Sequence, residues 1–264
     1  LLSDDGIDLV LNLTHPAGHA PVNRAALQAG KHAYCEKPFA LSLEEARAVL
    51  DEADSRGLTV GCAPDTVLGP GTQACRRIVD EGTLGRVLSA RMQFAGAGHE
   101  HWHPNPAFYY QRGGGPLLDM GPYYLHFLIQ VLGPMRRVLG RAVRGFDQRP
   151  FRCGEQEGQM MPVDTPTFYT GSLETVSGVV VEMTFSFDHP FGLSGSRLPE
   201  IHGTEGALIG TDPNTFGGEP RVNRKWASQD YGDQPTGFDY AAGRGLGLID
   251  LVDAVHENRE PRCG

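Results

Sequence analysis

The stretch of sequence that decides the fold is AGKHAYCEKP, residues 29–38. Gly30 stands where a glycine commonly ends a helix. The apolar run at 32–35 is then typical of a short buried strand. The charged tripeptide at 36–38 follows at the carboxyl end of that strand, the edge where open α/β sheets bind their ligands. The stretch therefore predicts an α/β unit with an acid–base pair at its ligand-binding edge.

The residues on both sides continue the alternation of strands and helices. Residues 7–14 form a compact apolar strand signal, and 16–28 carry apolar residues at helical spacing. A capping box at 42–45 opens the next helix, and an apolar strand at 58–63 follows it. Parallel strands need such crossover helices, because a tight turn cannot join them. The sequence predicts a parallel α/β domain over residues 1–65.

From Arg86 onward, longer strands with β-branched and aromatic residues replace the short buried ones, and a second domain is expected to begin near residue 66. We expect strands at 87–94, 167–173 and 176–187, helices at 69–82, 118–132 and 245–258, and a loop at 147–161. Residues 66–264 are therefore expected to form an α+β domain with a largely antiparallel open sheet. The late helix is expected to pack back on the first domain.

The composition limits the classes of function. The 264 residues carry a formal net charge of -9, and no stretch clusters Lys and Arg as a nucleic-acid site requires. No apolar run approaches the roughly 20 residues that cross a bilayer. The five cysteines are scattered without a C-x-x-C pair, which favours a reducing, cytoplasmic environment. The expected partner is a small molecule, with neither nucleic acid nor membrane involved.

Two blocks in a fixed order point to a family. The first combines the turn Thr14-His15-Pro16, His19 and the tripeptide Glu36-Lys37-Pro38, and the second is GGGPLLDMGPY at 113–123. Together they resemble the glucose–fructose oxidoreductase and inositol dehydrogenase family, often called Gfo/Idh/MocA. The resemblance implies that residues 1–65 are the C-terminal half of a Rossmann dinucleotide-binding domain, with NAD or NADP as the cofactor. Because no G-x-G-x-x-G turn follows a strand, the glycine-rich first part of that domain is expected to precede Leu1.

The resemblance also implies a catalytic set of Lys37, Asp119 and Tyr123. Lys37 would lie beside the nicotinamide and hydrogen-bond the reacting hydroxyl group. Tyr123 is the candidate acid–base residue, since oxidation of an alcohol requires removal of the hydroxyl proton as the hydride leaves. At spacing i and i+4, Asp119 and Tyr123 are expected to share one helix face. Asp119 would then fix or tune the pair.

The remaining site residues are assigned on the same grounds. Cofactor contacts are expected from Thr14, His15, His19, Glu36 and Lys37. His15 stands between the threonine and the proline that are usually adjacent in this family. The substrate is expected to contact Trp102, His103 and His126. The implied reaction is hydride transfer between NAD(P) and a secondary hydroxyl of a sugar, inositol or related polyol, carried out by a homo-oligomer.

Alternatives from other classes remain open at this point. The sequence HEHWH at 99–103 matches the zinc-protease signature H-E-x-x-H, but the glycines before it and the prolines after it disfavour the helix that this motif needs. We expect no metal site. A non-catalytic sugar- or nucleotide-sensing protein of the same fold, and an NAD-dependent glycosidase that uses transient oxidation, both fit the resemblance.

Overall fold

The computed structural model describes residues 1–189, 198–224, 227–230 and 243–263. Within these ranges the helices are α1 Pro16–Gln28, α2 Leu43–Arg56, α3 Pro70–Asp80, α4 Gly115–Asp119, α5 Gly121–Leu132 and α6 Leu246–Glu257. The strands are β1 Leu9–Asn12, β2 His32–Cys35, β3 Val60–Cys62, β4 Val87–Ala95, β5 Met135–Val143, β6 Gln148–Pro150, β7 Met160–Pro162, β8 Phe168–Thr175, β9 Val180–Ser186, β10 Glu200–Gly203, β11 Gly206–Ile209, β12 Arg221–Arg224 and β13 Ala227–Asp230. The chain divides into two compact units between Leu68 and Gly69, and α6 belongs to the first unit.

The first unit is built on a three-stranded parallel sheet in the order β1-β2-β3. The central strand β2 is fixed on both sides beyond its last residue, since the backbone N–H of Glu36 donates to Asn12 O at 3.0 Å and that of Ala63 donates to Cys35 O at 2.9 Å. Gly30 has a φ of 76° directly after α1, a conformation that glycine adopts without strain. The expected parallel α/β architecture is confirmed.

Helix α6 is attached to this sheet by a carboxylate. Asp65, which follows β3, is 3% exposed, and its Oδ2 accepts the backbone N–H groups of Gly245 at 2.8 Å and Gly247 at 3.2 Å. The side chain thereby satisfies N–H groups that the first turn of a helix leaves without intrahelical partners. Leu251 of α6 then packs against Tyr34 of β2. The helix supports the strand that leads into Lys37.

The residues after α6 are bound to the helix by the buried carboxylate of Asp250. Asp250 is 0% exposed and accepts hydrogen bonds from Arg259 Nη2 at 3.0 Å, Arg262 Nε at 2.8 Å and the Arg262 backbone N–H at 2.5 Å. Burial alone raises the pKa of the Asp250 carboxyl, but the bonds from Arg262 and Arg259 outweigh it and hold the pKa below its ordinary value.

The second unit contains an eight-stranded sheet in the order β13-β12-β11-β10-β4-β9-β8-β5. Its neighbours are antiparallel except for β4 and β9, which run parallel. The core of this unit includes Tyr124 and Phe127 of α5 together with Val181 and Phe185 of β9. The expected largely antiparallel sheet is confirmed. No helix among the described residues is long and apolar enough to cross a membrane.

Two local expectations are wrong. The predicted helix at 118–132 is broken, because α4 ends at Asp119 and α5 begins at Gly121. Pro122 near the start of α5 has no N–H to donate, and its ring would clash with the carbonyl group four residues earlier in a continuous helix. The predicted loop at 147–161 contains β6 and the start of β7, which pair antiparallel. Their pairing accompanies burial of Phe151 and Met161 in the core.

The lowered pKa of Asp250 predicts a specific pH dependence of stability. Its contribution is fully present above the ordinary carboxyl pKa of about 3.9 and is lost as the pH falls through the lower pKa of the folded state. Urea unfolding of an Asp250→Asn variant should therefore give a lower free energy of unfolding at pH 7, with a smaller further loss below about pH 4 than in the unmodified protein. Asp4→Asn, at an exposed position, is the control. Parallel pH curves for the unmodified protein and Asp250→Asn would contradict the assignment.

Candidate active site

The edge of the first unit that carries Lys37 is organised by local hydrogen bonds. Glu36 and Lys37 are half-buried directly after β2, and the Lys37 backbone N–H donates to Glu36 Oε2 at 3.1 Å. The peptide bond between Lys37 and Pro38 is cis. The predicted acid–base pair thus lies where the sequence places it, at the carboxyl end of the central strand.

His19 ties this turn to the turn that follows β1. The side chain is 1% exposed, with Nδ1 2.6 Å from Pro38 O and Nε2 2.8 Å from Thr14 O. Both partners are backbone carbonyl groups, one in the turn after β1 and one in the turn after β2. Thr14 and His15 remain exposed beside this buried ring. His19 therefore connects the turn at Thr14 with the turn at Pro38, and both turns carry predicted cofactor contacts.

Asn12 is a further organising residue at this edge, and the sequence analysis did not select it. It is 2% exposed, and its Nδ2 donates to Asn23 Oδ1 at 2.8 Å and to His19 O at 3.1 Å. Its Oδ1 accepts from Thr14 Oγ1 at 2.7 Å. A polar residue at the end of an otherwise apolar strand was the available signal. Asn12 fixes the orientation of Thr14.

In the second unit, Asp119 is paired with a histidine that the sequence analysis considered only as a zinc ligand. His99 Nε2 lies 2.8 Å from Asp119 Oδ2, and each side chain is 13% exposed. The His99 ring packs against Tyr109 and Phe187, with ring centroids 4.1 Å and 4.7 Å apart. The structure therefore forms a partly buried imidazole–carboxylate pair.

Tyr123 occupies a more enclosed position than Asp119. It is 5% exposed and belongs to the hydrophobic core of the second unit. Because α4 ends at Asp119 and Tyr123 belongs to α5, the expected placement on one face of one helix does not hold. The half-buried His126 also lies on α5, three residues after Tyr123, so the two share a face of that helix. Lys37 belongs to the first unit.

The two predicted substrate residues of the preceding loop belong to an aromatic group. Trp102 is 62% exposed, and its ring centroid lies 5.3 Å from that of His103. His103 in turn contacts Phe108, which is 44% exposed, at 5.4 Å. These rings present apolar faces to solvent near the His99–Asp119 pair, since Trp102 also contacts His99 at 5.2 Å.

The H-E-x-x-H motif is divided among separate partners. Residues 99–103 lie in turns and not in a helix. His99 contacts Asp119, Glu100 binds Arg149, and His103 Nδ1 accepts the backbone N–H of Asn105 at 3.1 Å. No group of three His, Cys, Asp or Glu side chains that could hold a metal ion occurs in the described part of the chain.

A buried guanidinium group holds the loop that carries these residues. Arg149 Nε lies 3.1 Å from Oε1 of Glu100, which is 1% exposed, and Nη1 lies 3.5 Å from Asp188 Oδ1. Arg149 also donates to Tyr110 Oη at 3.2 Å, to Phe187 O at 2.9 Å and to Ala97 O at 3.1 Å. Burial and the hydrogen bond to Glu100 raise the pKa of Tyr110, so this hydroxyl stays protonated and donates to Glu100.

Removing the guanidinium group should therefore destabilise the second unit strongly. An Arg149→Met variant leaves Glu100 buried without its cation, and a buried pair broken in this way costs about 3–5 kcal/mol. Urea unfolding should show this loss in the free energy of unfolding. The exposed Arg152→Met change is the matched control and should stay within about 0.5 kcal/mol of the unmodified protein. Equal effects of the two substitutions would refute the organising role of Arg149.

Comparisons with known proteins match both units. The family model described as an oxidoreductase family with an NAD-binding Rossmann fold matches residues 1–63, and that of the GFO/IDH/MocA C-terminal domain matches residues 72–209. A 1,5-anhydro-D-fructose reductase of Ensifer adhaerens is 30% identical over 217 residues, covering 81% of this chain and 60% of that protein. A levoglucosan dehydrogenase of Pseudarthrobacter phenanthrenivorans is 27% identical over 227 residues, covering 79% and 56%. The chain thus spans somewhat more than half the length of these curated relatives.

Solved structures agree with this likeness. An NAD binding oxidoreductase from Klebsiella pneumoniae superimposes with a TM-score of 0.75 at 26% identity, covering 100% of this chain and 73% of that one. A levoglucosan dehydrogenase in complex with NADH and levoglucosan gives a TM-score of 0.79 at 22% identity, covering 100% and 75%. At that identity the second match establishes the shared fold.

Proposed function

Because the chain belongs to the Gfo/Idh/MocA family of oxidoreductases with an NAD-binding Rossmann fold, we propose that it transfers a hydride between NAD(P) and a secondary hydroxyl of a sugar, inositol or related polyol. The observation that carries this proposal is Lys37 at the carboxyl end of the central strand of a parallel sheet. Ligands of open α/β sheets bind at that edge. Relatives named for 1,5-anhydro-D-fructose, D-xylose and levoglucosan support a sugar as the substrate class.

The residues at this edge fit a nicotinamide nucleotide. Thr14 and His15 are exposed after β1, and Glu36 and Lys37 are half-buried after β2 of the same sheet. They offer donors for ribose and carboxamide oxygens and a carboxylate that accepts from a ribose hydroxyl. The cofactor, when bound, supplies the acceptor or donor of the hydride. The buried His19 holds the two turns that carry these contacts.

The family resemblance implies the catalytic roles, and the chemistry of the side chains fits them. Lys37 donates a hydrogen bond to the reacting hydroxyl and stabilises negative charge that develops on its oxygen. Tyr123 Oη exchanges the hydroxyl proton, and Asp119 fixes or tunes the pair formed by Lys37 and Tyr123. Trp102, His103 and His126 contact the substrate, with the exposed Trp102 ring stacking on an apolar sugar face.

Substitution of the two proton-handling groups tests the proposal. In the full-length protein, Lys37→Met and Tyr123→Phe should each lower kcat by about 10²–10⁴-fold, as expected for loss of a positioned proton donor or acceptor. The exposed Arg47→Met and the buried neighbour Tyr124→Phe are matched controls that keep their activity.

The assay follows NADH or NADPH absorbance across a panel of sugars and polyols. Net accumulation of reduced cofactor separates a dehydrogenase from a glycosidase that regenerates its cofactor. Unchanged turnover in both Lys37→Met and Tyr123→Phe, or absence of turnover with every substrate of the panel, would contradict the assignment.

The edge of the second sheet supports assembly of a homo-oligomer. Strand β5 ends the sheet order, and its Val138 and Leu139 are 75% and 77% exposed. A long exposed edge strand is a template for pairing with another chain, and native proteins usually cover or protect it. A second copy covering β5 removes this surface from water.

The free state of all five cysteines supports a cytoplasmic location for the protein.

A charge at this edge should separate the copies. Leu139→Asp should shift the protein from the mass of an oligomer to that of a monomer in size-exclusion chromatography with light scattering. Leu43→Asp, at a 60% exposed position in the first turn of α2, should leave the mass unchanged. A monomeric unmodified protein at micromolar concentration would rule out the proposed assembly.

A further inference from the structure

The H-E-x-x-H stretch is not explained by the roles assigned so far, and its first residue has a distinct contact. We propose that His99 is a positioning residue of the reaction, which donates a hydrogen bond from Nε2 to Asp119 and fixes the orientation of that carboxylate. This inference rests on the proposed function, because it concerns the same proton-handling site. Neither the family resemblance nor the sequence motif assigns this role to His99.

The break between α4 and α5 makes such a partner necessary. Asp119 is the last residue of a helix of five residues, whereas Tyr123 belongs to the next helix. The helix that holds Tyr123 therefore does not fix the direction of the Asp119 side chain. A catalytic carboxylate needs neighbours that lock its rotamer. The 2.8 Å contact with His99 Nε2 meets this need.

The donor is itself held in place. The His99 ring lies against Tyr109, Phe187 and Trp102, with centroid distances of 4.1 Å, 4.7 Å and 5.2 Å. Its backbone N–H donates to Tyr110 Oη at 3.2 Å, which connects the loop to the Arg149 network. An imidazole held from the ring face and from its backbone presents Nε2 in one direction.

Asp119 is the carboxylate that contacts the His99 ring, at 2.8 Å from Nε2. Burial, and then the charge of Asp119, raise the pKa of Tyr109 to about 12, so its hydroxyl is neutral at physiological pH. Glu100 is engaged by Arg149 and Tyr110. The imidazole N–H therefore faces a carboxylate, and hydrogen bonds to carboxylates are among the stronger ones in proteins.

Two substitutions separate the hydrogen bond from the packing of the ring. His99→Phe keeps an aromatic ring against Tyr109 and Phe187 but removes the donor. His99→Gln places an amide N–H close to the position of Nε2. In the full-length protein we expect His99→Phe to lower kcat by about ten- to hundredfold with an unchanged KM for NAD(P), and His99→Gln to restore it to within about threefold of the original value.

A double-mutant cycle tests whether His99 acts through Asp119. In an Asp119→Asn background, His99→Phe should lower kcat by no more than about twofold further, because the interaction is already weakened. The full loss in both backgrounds, or equal losses for His99→Phe and His99→Gln, would overturn the inference. Activity of His99→Phe equal to that of the unmodified enzyme would overturn it as well.

A readout without turnover distinguishes failure of this inference from failure of the proposed function. In 15N-histidine NMR spectra, the signal that disappears in His99→Gln identifies the His99 Nε2–H group. Asp119→Asn should move that signal and speed its exchange with water. An unmoved signal shows that the bond is absent and overturns the inference, whatever the enzyme does. Lack of hydride transfer in the unmodified protein, together with a moved signal, overturns the proposed function and removes the catalytic role of the pair.

Discussion

The parallel pairing of β2 with a strand on each side is the constraint on which the first unit depends. Parallel strands bring all their carboxyl ends to one edge, so the turns after β1, β2 and β3 meet there. Hydrogen bonds then join these turns to other parts of the unit. His19 connects the turn at Thr14 to Pro38, and Asp65 holds the first turn of α6. The position of Lys37 is therefore a consequence of sheet topology.

In the second unit, Asp119, Tyr123 and His99 lie on two helices and a loop, so no single element fixes their positions. The break at Met120 separates Asp119 from the helix that carries Tyr123. The buried ion pair between Arg149 and Glu100 orders this region, because it holds the loop that carries His99. A guanidinium group suits this task because several donors leave it in fixed directions. The rings of Tyr109 and Phe187 pack against His99 beside this pair.

Local sequence signals predicted the parts of this structure that depend on local physics. The alternation around β2 predicted a parallel sheet, and the capping box at Ser42 forms as expected, with Glu45 N–H donating to Ser42 Oγ at 3.2 Å. The broken helix was missed although Pro122 is visible in the sequence, because the apolar pattern continues across it. The contacts His99–Asp119 and Arg149–Glu100 join residues far apart in the chain. No spacing rule encodes such pairs, which depend on how the sheet and loops pack.

The proposed reaction is direct hydride transfer from a sugar carbon to a nicotinamide ring. The most direct test supplies the full-length protein with NAD(P) and a sugar deuterated at every ring carbon, and measures the mass of the reduced cofactor. We expect one deuterium atom in each molecule of NADH or NADPH formed. Reduced cofactor without deuterium, or no reduction with a panel of deuterated sugars and polyols, would contradict it.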